Sequence, residues 1–158
     1  MTTDALIGKP LPHVALQDSS GGVTHVPQDW KGRWTLLYFY PKDDTPGCTV
    51  ENQDFSALAG DFAAAGAALL GISKDAPARH QKFIAKYDLK APLASDAAEG
   101  GLSDALGVWA EKVNYGRTYM GMVRSTYLVD SEGRILRIWD KVKVKGHAAE
   151  VLEAVRAA

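Results

Sequence analysis

Residues 34–40, Trp34-Thr35-Leu36-Leu37-Tyr38-Phe39-Tyr40, constrain the fold more than any other stretch of the chain. The run is almost wholly apolar or aromatic, with no alternation that would turn one face to water. That is the pattern of a strand buried on both faces, central in a parallel or mixed sheet. Pro41 stops it. The next segment, Thr49 to about Ala65, reads as a helix, with Phe55, Leu58 and Phe62 at i, i+3 and i+7 on one face. Gly60 marks a weak point in it and Gly66 its exit. Ala67 to Ser73 reads as a second buried strand. Strand, helix, strand is a βαβ unit, whose crossover is expected to be right-handed.

The flanking segments extend this unit. Pro10 and Pro12 keep the lead-in irregular. Val14-Ala15-Leu16 and Val23 to Val26 form a hairpin over Asp18-Ser19-Ser20-Gly21-Gly22. Asp29 to Gly32 is a turn before the first core strand. Asp75-Ala76-Pro77 reads as a helix start, Asp75 as the N-cap and proline in the first turn. His80, Phe83, Ile84 and Tyr87 follow at helical spacing. Ala91 to Ser95 is a short strand or connection. Gly100-Gly101 breaks the chain, and Leu102 to Val108 gives one or two helical turns. Residues 109–122 read as a long surface excursion. Ser125 to Val129 and Ile135 to Trp139 are strands joined by a hairpin turn at Asp130-Ser131-Glu132-Gly133. Lys141 to Lys145 alternates lysine and valine, as a solvated edge or loop does. Gly146-His147-Ala148 opens a last helix that buries Val151, Leu152 and Val155. A parallel βαβ half followed by an antiparallel ββα half is the order of an α/β, thioredoxin-like fold: a central mixed sheet flanked by helices, here with an N-terminal hairpin extension. No repeat or linker divides residues 1–158, so one domain is expected.

Bulk properties exclude several function classes. The 158 residues carry 18 basic and 19 acidic side chains, a net charge of −1. That gives no electrostatic reason to expect nucleic acid or an anionic membrane as partner. The longest apolar runs are well short of a membrane span. No basic segment precedes an apolar stretch at the N-terminus, so no secretory signal is expected and the cytoplasm is the expected compartment. The four histidines are scattered without ligand spacing and read as surface or satisfied residues. A single cysteine excludes an intrachain disulfide and Cys-rich zinc sites.

That cysteine, Cys48, falls at the junction between the first buried strand and the helix. A thiol reacts as its thiolate. Unpaired N–H groups and the dipole of a helix first turn favour negative charge there. Gly47 lets the backbone approach closely. Pro46 leaves the N–H groups of Gly47 and Cys48 facing the site. Thr45 can place a hydroxyl beside the sulfur, and Pro41 shields it from water. An ordinary thiol is about 3% thiolate at pH 7, so full ionisation raises its concentration only about 30-fold. A fast thiol enzyme needs more: donors aimed at charge that develops on the substrate.

The segment Phe39-Tyr40-Pro41-Lys42-Asp43-Asp44-Thr45-Pro46-Gly47-Cys48-Thr49-Val50-Glu51 resembles the active-site segment of the peroxiredoxins, most of all the bacterioferritin-comigratory-protein or Prx Q subfamily. Pro41, Thr45 and Cys48 meet the family pattern Pro-x-x-x-Thr/Ser-x-x-Cys. Tyr115 to Asp130 resembles the subfamily's second signature, which carries the active-site arginine, here Arg124. Lys143 to His147 also fits, and the likeness spans roughly residues 5–156. The resemblance implies a thioredoxin fold and a thiol peroxidase for antioxidant defence that needs no metal, haem or flavin cofactor. It implies that Cys48 is the peroxidatic cysteine. It further implies that Thr45 hydrogen-bonds thiolate and peroxide, that Pro41 shields the pocket, and that Arg124 polarises both reactants. Guanidinium, always charged and rich in fixed donors, suits that task. Glu51 matches too, as a residue one step removed from the substrate.

One departure changes the cycle. Many subfamily members carry a resolving cysteine five residues after the first, where this chain has Gln53. Others place it in the next helix, and Asp75 to Lys90 holds none. The Cys48 sulfenic acid must therefore be reset by an external thiol of the thioredoxin, glutaredoxin or glutathione type. Hydrogen peroxide and organic hydroperoxides are the expected substrates, and a monomer or weak homodimer the expected assembly. The rival readings are a thioredoxin-fold redox sensor or binding module signalling through Cys48, a Cys-His hydrolase, for which no histidine stands in a suitable motif, and a purely structural domain.

Overall fold

A computed structural model describes residues 3–96 and 101–158. In chain order the strands and helices are β1 (Val14–Asp18), β2 (Val23–Val26), β3 (Trp34–Phe39), α1 (Pro46–Ala57), α2 (Ala59–Ala64), β4 (Ala67–Ser73) and α3 (Pro77–Tyr87). They continue as β5 (Leu93–Ser95), α4 (Leu102–Ala105), β6 (Trp109–Asn114), β7 (Arg117–Met122), β8 (Ser125–Val129), β9 (Ile135–Trp139) and α5 (His147–Ala157). Seven strands form one mixed sheet in the order β2-β1-β5-β4-β3-β8-β9. The β3–β4 and β4–β5 pairs are parallel, whereas β8 runs antiparallel to β3. Among the described residues no helix is long and apolar enough to cross a membrane.

The apolar run lies where its composition puts it. Every β3 residue from Thr35 to Phe39 is buried. Leu36, Tyr38 and the following Tyr40 pack with Phe55, Phe62, Phe83 and the α5 residues Val151, Leu152 and Val155. Leu37 and Phe39 point the other way, into a second cluster with Leu70, Ile72, Leu102, Met122 and Tyr127. The alternation of a strand thus feeds two cores at once. Gly71 of β4, directly opposite Tyr38, makes room for that ring: a Cβ there would stand 2.7 Å from Tyr38 Cζ and 2.6 Å from Leu93 Cδ2.

Several expectations are corrected. The helix after β3 starts at Pro46, three residues earlier than Thr49, and it breaks at Leu58 rather than at Gly60. Asp75 is not a cap. Ala76 holds the N-cap position, because the Asp75 carboxylate already accepts from the Asp43 N–H and from Ser73 Oγ. The N-terminal hairpin extension holds as expected and joins the main sheet: β1 pairs with β5 at Gln17–Ser95 and Asp18–Ala94, which makes the hairpin its edge. The surface excursion at residues 109–122 is a two-stranded hairpin, β6 with β7, outside the sheet. Gly101 is the N-cap of α4, while Gly100 lies outside the described residues. The histidines divide as read: His13 and His25 are exposed, and the buried His80 and His147 both have polar partners.

Candidate active site

The end of β3 delivers the chain to the site. Pro41 follows Tyr40 and is half-buried. Thr45 is the N-cap of α1, with extended backbone, and Pro46, Gly47 and Cys48 are the first three helical residues. Cys48 is 1% exposed. Its position in the first helical turn is therefore more secure than the sequence suggested, since the helix begins before it.

Three contacts fix that turn. Tyr38, in mid-strand, stacks on Phe55 at 4.3 Å between centroids. Its hydroxyl donates to Asn52 Oδ1 at 2.8 Å, and Asn52 Nδ2 donates to the Cys48 carbonyl at 2.9 Å. A buried chain of hydrogen bonds thus runs from the sheet centre to the cysteine backbone, where low dielectric strengthens each link. Asn52 was not singled out from the sequence. Its place, four residues after Cys48 on the buried helix face, was the available signal.

Arg124 arrives from the other half of the fold. The β3–β8 register pairs Phe39 with Ser125, so Arg124, just before β8, stands at the same end of the sheet as Cys48. Its guanidinium forks. Nη2 lies 3.4 Å from Cys48 Sγ, and Nη1 lies 2.6 Å from Glu51 Oε1. The backbone is pinned as well, because Arg124 O accepts from the Val142 N–H at 2.9 Å. The arginine side chain is 17% exposed and that of Glu51 1%.

Glu51 is buried beside a single cation, and its Oε2 has no hydrogen-bond partner among the described residues. Burial pushes its carboxyl up to about 7, with Arg124 opposing the rise and Asp54 adding to it. Lys112, on β6, is a further cation near the sulfur. Burial pulls its ammonium down, helped by Arg124 and opposed by Cys48. Its stem crosses the glycine of the partner strand: a Cβ on Gly121 would lie 3.0 Å from Lys112 Cδ. Nothing in the sequence marked Lys112, because its approach depends on a hairpin whose exposed strands lack an apolar pattern.

Of the residues singled out by sequence, Cys48, Gly47, Glu51 and Arg124 come together. Thr45 stands at the cap, but its hydroxyl donates to Lys42 O at 2.8 Å rather than to the sulfur. Pro41 lies at the strand end of the same loop. The thiol thus lies in a helix first turn, where unpaired N–H groups favour negative charge, with a guanidinium nitrogen facing its sulfur.

The chain as a whole is similar to known proteins. The AhpC/TSA family model matches residues 7–138, and the chain belongs to that family. Its fold is thioredoxin-like and its class that of the peroxiredoxins, which are thiol peroxidases. Within the class it is similar to Peroxiredoxin Bcp of Xanthomonas campestris, 45% identical over 98% of this chain and 97% of that one. It is likewise similar to Peroxiredoxin Bcp of Bacillus subtilis, 43% identical over 95% of this chain and 94% of the other. A crystal structure of a Xylella fastidiosa PrxQ mutant superposes with a TM-score of 0.89 at 37% identity, covering 96% and 95% of the two chains. The resemblance read from the two sequence signatures holds at the level of family, fold and enzyme class.

Proposed function

We propose that this peroxidase works through Cys48, which attacks the terminal oxygen of hydrogen peroxide or an organic hydroperoxide. The thiolate sulfur forms an S–O bond as the O–O bond breaks. Cys48 becomes a sulfenic acid, and the leaving oxygen departs as hydroxide or alkoxide and takes a proton to give water or an alcohol. The observation that carries the reading is the forked guanidinium of Arg124, on Cys48 Sγ with one arm and on Glu51 with the other. Guanidinium has five N–H donors, so donors remain for the peroxide oxygens after these two contacts. Stabilising charge that develops on the departing oxygen is the contribution that thiolate population alone cannot supply. Thr45 turns its hydroxyl from Lys42 O to the peroxide, the free N–H groups of Gly47 and Cys48 face the same oxygens, and Pro41 keeps water from the sulfur. A related protein supports the choice of substrate: structures of the Xanthomonas campestris bacterioferritin comigratory protein concern its alkyl peroxide reduction activity.

Cys48 is the only cysteine. The sulfenic acid is therefore reset from outside: one thiol condenses with it, releasing water and forming a mixed disulfide, and a second thiol exchanges to free Cys48. Small thiols and thioredoxin- or glutaredoxin-like proteins fit that role. Residues 1–158 act as one catalytic domain, as a monomer or weak homodimer, in the reducing cytoplasm. Rapid mixing with hydrogen peroxide and with cumene hydroperoxide, followed by tryptophan fluorescence, tests the reading. The parent consumes either peroxide in a fast phase that Cys48→Ser lacks. Equal consumption by Cys48→Ser would overturn it.

A further inference from the structure

Asp43 sits in the middle of the loop that carries the reacting residues, yet it is fully buried. A carboxyl withdrawn from water costs free energy unless its polar atoms find partners. Each polar group of Asp43 has one. Oδ1 accepts from Tyr40 Oη at 2.6 Å, and Oδ2 lies 2.6 Å from His80 Nδ1. The N–H donates to Asp75 Oδ2 at 2.9 Å, and the carbonyl accepts from Arg79 Nη2 at 3.2 Å. His80 is also fully buried and is held at its far side, with Nε2 3.1 Å from the Ala94 carbonyl on β5.

The donor count fixes what His80 can do. A carbonyl only accepts, so Nε2 carries a hydrogen. The Nδ1–Oδ2 contact holds another, on the ring or on the carboxyl. No imidazole nitrogen is left to serve Cys48 as a base, which removes the Cys-His hydrolase reading for this residue. The next residue, Asp44, is fastened to the same helix: its carboxylate accepts from Lys86 Nζ at 2.8 Å and from Tyr87 Oη at 2.6 Å. Two successive loop residues are thus tied along α3, at the cost of a left-handed backbone at Asp44, φ 60°.

We propose that the buried Asp43–His80 pair is a positioning device for the reaction, clamping loop 41–45 to α3 and β5 and so fixing where α1 begins and where the Cys48 sulfur stands against Arg124. A buried polar pair, ionised or not, is seldom a better stabiliser than apolar side chains of the same volume. What it adds is direction, because each bond has one geometry. The clamp fastens the loop midway between Tyr40, the last residue anchored in the sheet, and Thr45, the helix cap. Freedom there moves the reacting atoms together, and a misplacement near 1 Å costs about 100-fold in rate.

The proposal rests on Cys48 as the reacting thiol, so its test reads that thiol directly. The alkylation rate of Cys48 by iodoacetamide is measured against pH, beside the peroxide rate, in His80→Ala, His80→Gln and Tyr40→Phe, with folding checked by circular dichroism. In His80→Ala the peroxide rate falls about 10- to 100-fold and the alkylation profile departs from the parent's. His80→Gln, which keeps a donor for Asp43, recovers part of both. Tyr40→Phe removes one hydroxyl, keeps the ring and gives a smaller loss in the same direction. If His80→Ala fails to fold, the other two variants decide. A folded variant with the parent's alkylation profile and peroxide rate would overturn the clamp, as would His80→Gln behaving no better than His80→Ala. Should the parent itself show no fast peroxide phase, the peroxidase reading fails, and the alkylation profiles still judge the clamp.

Discussion

Gly47 leaves room for Arg124: a Cβ on Gly47 would lie 3.2 Å from Arg124 Nη2, the nitrogen that faces the sulfur. The glycine is therefore matched to the arginine rather than to a turn. Gly47→Ala should push the guanidinium off Cys48 by a few tenths of an ångström. We expect the peroxide rate to fall by about 3- to 10-fold, while thermal stability holds or rises slightly, since alanine favours a helix. Rapid-mixing kinetics and a melting curve on the same sample check both. An unchanged rate would show that Arg124 is free to shift without loss.

Glu51 gives a pH signature. Its folded-state value of about 7 is raised from 4.5, so between these values the folded chain binds a proton that the unfolded chain has released. Stability from this group therefore falls as pH rises from about 4.5 to 7. The full span amounts to about 3 kcal/mol. His147 works in the opposite sense, because burial pulls its imidazole down from 6.5 to about 4, and its contribution is lost as pH falls through that window. The two slopes oppose each other in the parent. The difference in unfolding free energy between Glu51→Gln and the parent isolates the first, and it should move in favour of the variant as pH rises. Urea titrations at several pH values measure it, and a pH-independent difference would refute the assignment.

A lone cysteine leaves the oxidised protein without an internal partner. Excess peroxide in the absence of thiol should carry Cys48 past the sulfenic acid, giving species heavier by about 32 and 48 Da. Intact-mass spectra across a peroxide titration read these directly. Added dithiothreitol before the excess should suppress them, and their absence at high peroxide would count against an unresolved sulfenic acid.

Gly71→Ala should strike the site from the sheet side. Its new Cβ would stand under 3 Å from both the Tyr38 ring and Leu93. Overpacking of this kind costs about 1–3 kcal/mol. Because Tyr38 holds Asn52, which holds the Cys48 carbonyl, the variant should lose peroxide rate as well as stability. Chemical denaturation and kinetics at a temperature where it remains folded separate the two effects.

Much of this architecture was readable from the chain. β3 and β4 announce themselves as unbroken apolar runs because both of their faces are buried, and Pro41 and Gly66 punctuate them. The β6–β7 hairpin stayed hidden for the converse reason: Val113, Tyr115, Tyr119 and Met120 are exposed, so no alternation marks a strand. Asp75 looked like a helix cap because the pattern Asp-Ala-Pro is local, while the N–H that claims its carboxylate lies 32 residues back at Asp43. Asp43 itself read as one more charge in a polar loop. Burial of a carboxylate cannot be seen without the histidine that meets it 37 positions later. Arg124 was legible only through its likeness to a family signature, since nothing local distinguishes it from any arginine before a strand.

The alternation of β3 has a consequence for how the gene encoding such a chain can drift. Tyr38 and Tyr40 sit two apart on one face, and the first holds the helix through Asn52 while the second holds the loop through Asp43. Adding or deleting one codon between Trp34 and Tyr38 would turn both hydroxyls to the opposite side together, and one between Tyr38 and Tyr40 would part them. Length there should be invariant under drift. The tip of the β6–β7 hairpin, where Tyr115 is 97% exposed, has no such tie and should absorb insertions freely.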